Sequence, residues 1–172
     1  VDLASASEPM SVIARVGNRV FPATVQGHSY SVIVSGGPAT AMVKLEVEST
    51  RVHYESMLGS FGRLQARAGA DARLVQAEHA WVKVSAYTTA LSLMSEFQLD
   101  GRMPANDVEI ERVMRAIPTV DLEAAAYLLI RSITDPTPVY FPNGYEMVKN
   151  LAEFSPTLPG NSGLLHARYG LV

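Results

Sequence analysis

Through the first part of the chain, apolar and polar residues alternate at period two, the mark of half-buried strands. Val12, Ala14 and Val16 share one face of a run from Ser11 to Val16, with Ile13 and Arg15 on the other. Gly17-Asn18 follows, a two-residue turn of the kind that favours positive φ, and leads into Arg19 to Val25. Pro22 in that second run points to an edge strand or a break, since proline has no N–H for a ladder. After Gln26-Gly27-His28, Tyr30, Val32 and Val34 alternate with Ser29, Ser31 and Ile33. Val43, Leu45 and Val47 then alternate with Met42, Lys44, Glu46 and Glu48. Gly36, Gly37 and Pro38 separate these two runs, so Ser29 to Glu48 reads as a hairpin and the four strands as a meander.

Beyond Glu48 the period changes more than once. Residues 50–80 read as an insertion, where Gly59, Gly62 and Gly69 interrupt either a loop or a short helix carrying Leu58, Phe61 and Leu64. Residues 73–84 regain strand character, with Trp81, Lys83, Ser85 and Tyr87 alternating against Val82, Val84 and Ala86. Leu91 to Leu99 fits both periods; its regular polar alternation favours a strand, its Ala, Leu and Met content a helix. The strand is the expectation adopted. From Asn106 the pattern is helical: Asn106 caps, Glu109 stands three positions on, and Val108, Ile110, Val113, Met114 and Ile117 form a stripe. A second helix capped at Thr119 or Asp121 presents Leu122, Ala125, Ala126, Leu129, Ile130 and Ile133. Asp135-Pro136-Thr137-Pro138 breaks the chain, Tyr145 to Ala152 suggests one more short helix, and the Pro/Gly-rich, then apolar end reads as a docking tail.

The expected fold class is α+β: an antiparallel meander followed by carboxy-terminal helices that pack on the sheet of the same chain or of a partner. At 172 residues a single domain is expected. It divides into an arm over 1–10, a mainly β part over 11–99, a helical part over 106–152 and a tail over 153–172.

Composition changes this picture only a little. With 48% hydrophobic and 18% charged residues the chain is a folding one, and its low charge suggests surface buried against partners. A net charge of −3 argues against a strongly basic nucleic-acid binder while leaving room for a local basic face. The absence of cysteine removes disulfides, thiolate metal sites and cysteine nucleophiles. The first ten residues have no signal-peptide pattern, and a start at Val1 fits removal of an initiator methionine as well as processing of a longer precursor. The longest apolar run, Ala124 to Ile130, is too short to cross a bilayer, so no membrane partner is expected.

Catalytic patterns are sparse. His28, His53, His79 and His166 are widely separated and show no HxH or HExxH spacing, so each is expected at a surface or interface and no metal is expected. No GxSxG elbow anchors a serine nucleophile, and Gly36-Gly37-Pro38 belongs to neither a P-loop nor a dinucleotide fingerprint, so no cofactor is implied. Glu46 and Glu48 share a strand face; Glu109 and Glu111 lie about 200° apart on a helix and form no dyad. Lys44 and Lys83 fall on polar strand faces near Ser31, Ser85 and Tyr87, a set suited to holding phosphates and stacking a base of single-stranded RNA.

The order of elements carries one resemblance. A first hairpin, the pair SYSVIVSGG and AMVKLEVES, the strand-like AWVKVSAYTTALSLMSEFQL and helices from NDVEIERVMRAI onward resemble the coat proteins of single-stranded RNA bacteriophages, the levivirus type. The resemblance covers roughly residues 11–135 and requires a strand at Leu91–Leu99. It implies a non-enzymatic capsid subunit of the virion, made in the host cytoplasm, that forms a homodimer and self-assembles around RNA. It also implies helices crossing the partner's sheet. The alternative expectation is an α+β enzyme or ligand-binding domain with a site around His79, His53 and nearby carboxylates.

Overall fold

The computed structural model describes residues 10–27, 29–48 and 53–134; within its last helix, side chains are described at 119–126 and 129. The described chain runs β1 (Ser11–Val16), β2 (Arg19–Gln26), β3 (Ser29–Val32), β4 (Met42–Glu48), β5 (His53–Ser60), α1 (Phe61–Ala68), α2 (Ala86–Phe97), α3 (Asp107–Ala116) and α4 (Thr119–Thr134). The fold is α+β, an antiparallel sheet followed by helices. The helix suggested at Tyr145–Ala152 and the tail lie outside the described residues.

The sheet order is β3-β2-β1-β4-β5. Three hairpin-connected strands with the fourth returning beside the first make a Greek key, to which β5 is added. The hairpin expected over Ser29–Glu48 is therefore not formed. β3 pairs with β2, while β4 pairs with β1 on one side and β5 on the other. The Gly36-Gly37-Pro38 stretch carries the chain across the end of the β1–β2 hairpin. There a side chain at Gly37 would press on Val16 at 3.2 Å, and the Gly17 N–H donates to Met42 O at 3.1 Å. Alternation alone names the strands but not their partners.

Pro22 shows how a proline fits inside this sheet. β2 lies between β3 and β1, yet β3 pairs only as far as Val32 opposite Ala23, so at Pro22 the β3 side is already open. Arg19 and Val16 close a two-residue turn, and alternate pairs then exchange bonds, which turns the Pro22 nitrogen away from β1.

The stretch 73–84 is not a strand: it is loop with a single 3-10 turn at Ala80–Val82. The strand expected at Leu91–Leu99 is likewise not formed, because α2 occupies it. α2 starts with a capping box, in which Ser85 Oγ accepts from the Thr88 N–H and Thr88 Oγ1 accepts from the Ser85 N–H. It ends where Asp100 and Gly101 adopt positive φ and the Gly101 N–H closes on Glu96 O at 2.8 Å. Of the residues that suggested a strand's polar face, Ser92 is buried and Gln98 exposed, while Ser95, from the other face, is buried too and its Oγ donates to Leu91 O.

Val12, Ala14, Leu45, Val47 and Tyr54 of the sheet form one buried cluster with Ala90 and Leu91 of α2 and Leu122, Ala125, Ala126 and Leu129 of α4. The chain's own helices share the sheet's core. α3 covers the opposite side of the β4–β5 hairpin, burying Ile110 against Met42 and Met57. Its Val108, expected in the apolar stripe, is instead 78% exposed. Asn106 caps α3 as expected, accepting from the Glu109 N–H at 2.9 Å, while the Glu109 carboxylate turns to the Ala105 N–H and Arg102.

Candidate functional site

A cleft of about 800 Å³ lies between β3 and the wall formed by Leu58 at the end of β5, α1 and the loop after α1. Its floor is the apolar face of the sheet, with Ala14, Val43 and Leu45, and Val32 and Val34 flank it on the β3 side. The far wall is held in place by short-range chemistry. Ser60 caps α1 by accepting from the Arg63 N–H, and its hydroxyl donates to Asp107 Oδ2 at 2.5 Å, pinning α1 to α3. Gly59 takes φ of +117°, and a side chain there would strike Asp107 Oδ1 at 2.8 Å. Phe61 and Leu64, three residues apart on α1, then face the cleft from one helical side. Of the loop and the helix left open across residues 50–80, a helix forms only from Phe61 to Ala68, and Leu58 instead lies in β5, a strand that was not expected inside that insertion.

At the cleft's other end the phenol of Tyr30 donates to Val82 O, tying β3 to the 3-10 turn. Burial pushes that phenol's pKa up, so it remains a neutral donor. Ser56 Oγ, on β5, donates to Trp81 O at 2.6 Å. The turn therefore bridges β3 and β5 at one end and leaves the gap between them open at the other.

β3 is an edge with no strand on its outer side among the described residues. Two residues separate Gln26 from Ser29, so bonded pairs fall at Ser29 and Ser31, and Tyr30 and Val32 direct their N–H and C=O groups outward. The opposite edge, β5, is capped by side chains at several backbone groups. The Glu55 N–H donates to Thr89 Oγ1 at 2.9 Å, and Thr88 and Thr89 hydroxyls donate back to Glu55 O. The Ser60 N–H donates to Asp107 at 2.8 Å. His79 Nε2–H donates to Leu58 O at 3.0 Å, while its Nδ1 accepts from Arg67 at 2.8 Å. A guanidinium only donates, so this arrangement needs neutral imidazole. Burial, with Arg67 and Arg63 nearby, lowers the His79 pKa accordingly. His79 was expected at a surface or interface and is buried.

The residues singled out for RNA contact are not gathered into one site. Ser31 and Lys83 both line the cleft, Ser85 is the α2 cap, and Tyr87 is exposed on the first turn of α2. Lys44 is buried on the other face of the sheet, 2.7 Å from Glu55 and 3.0 Å from Glu96. Burial opposes its charge, but the two carboxylates outweigh this and its pKa rises. It is matched within the fold and turned away from solvent. Sequence alternation placed Lys44 correctly on a polar strand face; what it lacked was Glu96, which only the helical form of residues 86–97 brings there.

The other candidates also resolve into structure. Glu46 takes a two-pronged pair with Arg15 at 2.9 and 3.0 Å, which lowers its pKa. Glu111 bonds Arg63 at 2.9 Å, and Glu109 is held by Arg102, with its pKa lowered to about 2 chiefly by that bond. His53 stands 3.7 Å from Glu55, whereas His79 uses both ring nitrogens on Arg67 and Leu58. Among the described residues, no group of three or more metal-type side chains is placed to hold an ion, and no helix is long and apolar enough to cross a membrane.

Comparison with known proteins finds no matching family model, no matching curated protein and no matching solved structure.

Proposed function

We propose that this chain is a non-enzymatic structural subunit of coat type, which associates with copies of itself through the β3 edge and the cleft beside it. The observation that carries the reading is the asymmetry of the sheet. One edge has side-chain partners at Glu55, Leu58 and Ser60, while among the described residues the other has no strand beside it and borders a largely apolar cleft. Isolated sheet edges are aggregation templates that folded proteins blunt, so an edge left open next to a groove is suited to specific pairing. The apolar Ile33, 84% exposed immediately after β3, extends the same surface.

The levivirus-type form of this reading keeps the order of sheet first and helices after. The Greek key and the helix at residues 86–97 depart from it, since that pattern calls for a meander and a strand at Leu91–Leu99. RNA held by an assembled shell is a further part of the proposal; Ser31 and Lys83 are the two residues from the candidate set that share a surface. Size-exclusion chromatography with light scattering and electron microscopy tests the reading. Defined oligomers or particles are expected, and a monomer without particles across salt and pH overturns it.

A further inference from the structure

We propose that Leu164–Val172 of a second copy adds as a strand to the open edge of β3 and lays its apolar positions into the cleft. This rests on the self-association reading and names the segment that does the pairing. Three features converge on it. First, Tyr30 and Val32 present outward N–H and C=O groups, the backbone half of a strand-addition site. Second, the cleft alongside is lined by Val34, Leu58, Phe61, Leu64 and Leu74, the side-chain half. Third, the segment alternates through its middle: Leu165, Ala167, Tyr169 and Leu171 fall on one face, and His166, Arg168 and Gly170 on the other, with Leu164 and Val172 at the two ends of that second face.

The pairing keeps the segment's own charges out of the cleft, whose lining already includes Arg73 and Lys83. With the apolar face in the cleft, His166 and Arg168 lie on the same side of the sheet as Ser29 and Ser31, which are exposed. The Pro/Gly-rich run Pro156 to Gly163 leads into the segment and favours a turn-forming connection over a continuous helix. Residues 135–163, at about 3.3 Å each when extended, span up to roughly 95 Å, enough to reach a neighbouring copy. The same length reaches the chain's own cleft, so the choice of a second copy is what the experiment must decide.

The chain has no cysteine, so an introduced pair reacts only with itself. Two differently tagged full-length copies are mixed, one carrying Ser31→Cys and the other His166→Cys, Arg168→Cys or Gly170→Cys, three positions that sample the register. Oxidation is expected to join the two tags in at least one pairing. Ending the chain after Gly163 is expected to reduce the mass seen by light scattering. If the untouched chain is a monomer, the self-association reading and this proposal both fall. Assembly that survives the truncation, with no cross-link at any of the three positions, overturns the tail as occupant and leaves self-association standing. A cross-link that forms only within one chain carrying both cysteines overturns the second copy as its source.

Discussion

The two edges of the sheet are finished in opposite ways. β5 ends against α2, α3 and the loop before α2, and Thr88, Thr89, His79 and Asp107 each meet a backbone group there. β3 has only four residues, and Tyr30 is tied to Val82 beyond it. An edge is thus closed by the segments that come after it in the chain. Residues after β5 fold back on it, whereas the chain leaving β3 crosses to the far side of β1. Closure on one side also explains the buried polar content of the core, since Thr88, Thr89 and His79 are inside because backbone groups need them there.

The contrast can be attacked from the closed side first. Lys44→Ala leaves Glu55 and Glu96 facing each other in a buried setting where Glu55 Oε1 already has no hydrogen-bond partner among the described residues. Breaking a buried ion pair costs about 3–5 kcal/mol, so a large drop in urea midpoint is expected. A loss near zero would show that this side is loosely held.

Next, Thr89→Val keeps the shape and removes the acceptor of the Glu55 N–H and a hydroxyl proton shared between Ser85 O and Glu55 O, for an expected loss of about 1–3 kcal/mol. Ser31→Val on the open edge is expected to stay within about 0.5 kcal/mol. Equal losses in denaturant titration would erase the distinction between the edges.

The pH dependence is smaller and has a definite sign. His79 has a folded pKa below its ordinary value of 6.5, so the unfolded chain binds the extra proton first. Stability from this group is complete above about 6.5 and is lost as pH falls through the lowered value. His79→Gln should flatten that part of the stability–pH curve; an unchanged slope would assign it to another group. The smallest effect on folding is expected from Ser31→Lys, which places a charge on the open edge. It should leave the melting temperature alone and weaken self-association in light scattering.

How much of this was legible depends on what each signal encodes. Period-two alternation located β1 to β4 because each has one face toward the core, and Asn106 and the 108–117 stripe located α3. Strand partners were not legible, since alternation in Ser29–Val34 and Met42–Glu48 is the same whether they pair together or apart. α2 was misread because its inward side mixes Ala86, Ala90 and Leu91 with small polar residues, of which Thr88 and Thr89 are buried against the backbone of Glu55, distant in sequence. The Ser85-Ala86-Tyr87-Thr88 cap was the local sign that favoured a helix. The cleft had no sequence signature, because its walls come from β3, β5 and α1 and meet only once the Greek key is formed.

The sharpest check on the open-edge assignment is hydrogen exchange at single amides over a range of protein concentration. The Glu55 and Ser60 amides, closed within one chain, should exchange at the same slow rate throughout. The Tyr30 and Val32 amides should exchange fast in dilute protein and become protected as the chain associates. Equal rates for Tyr30 and Val32 at every concentration, in protein shown to associate, would contradict β3 as the pairing edge.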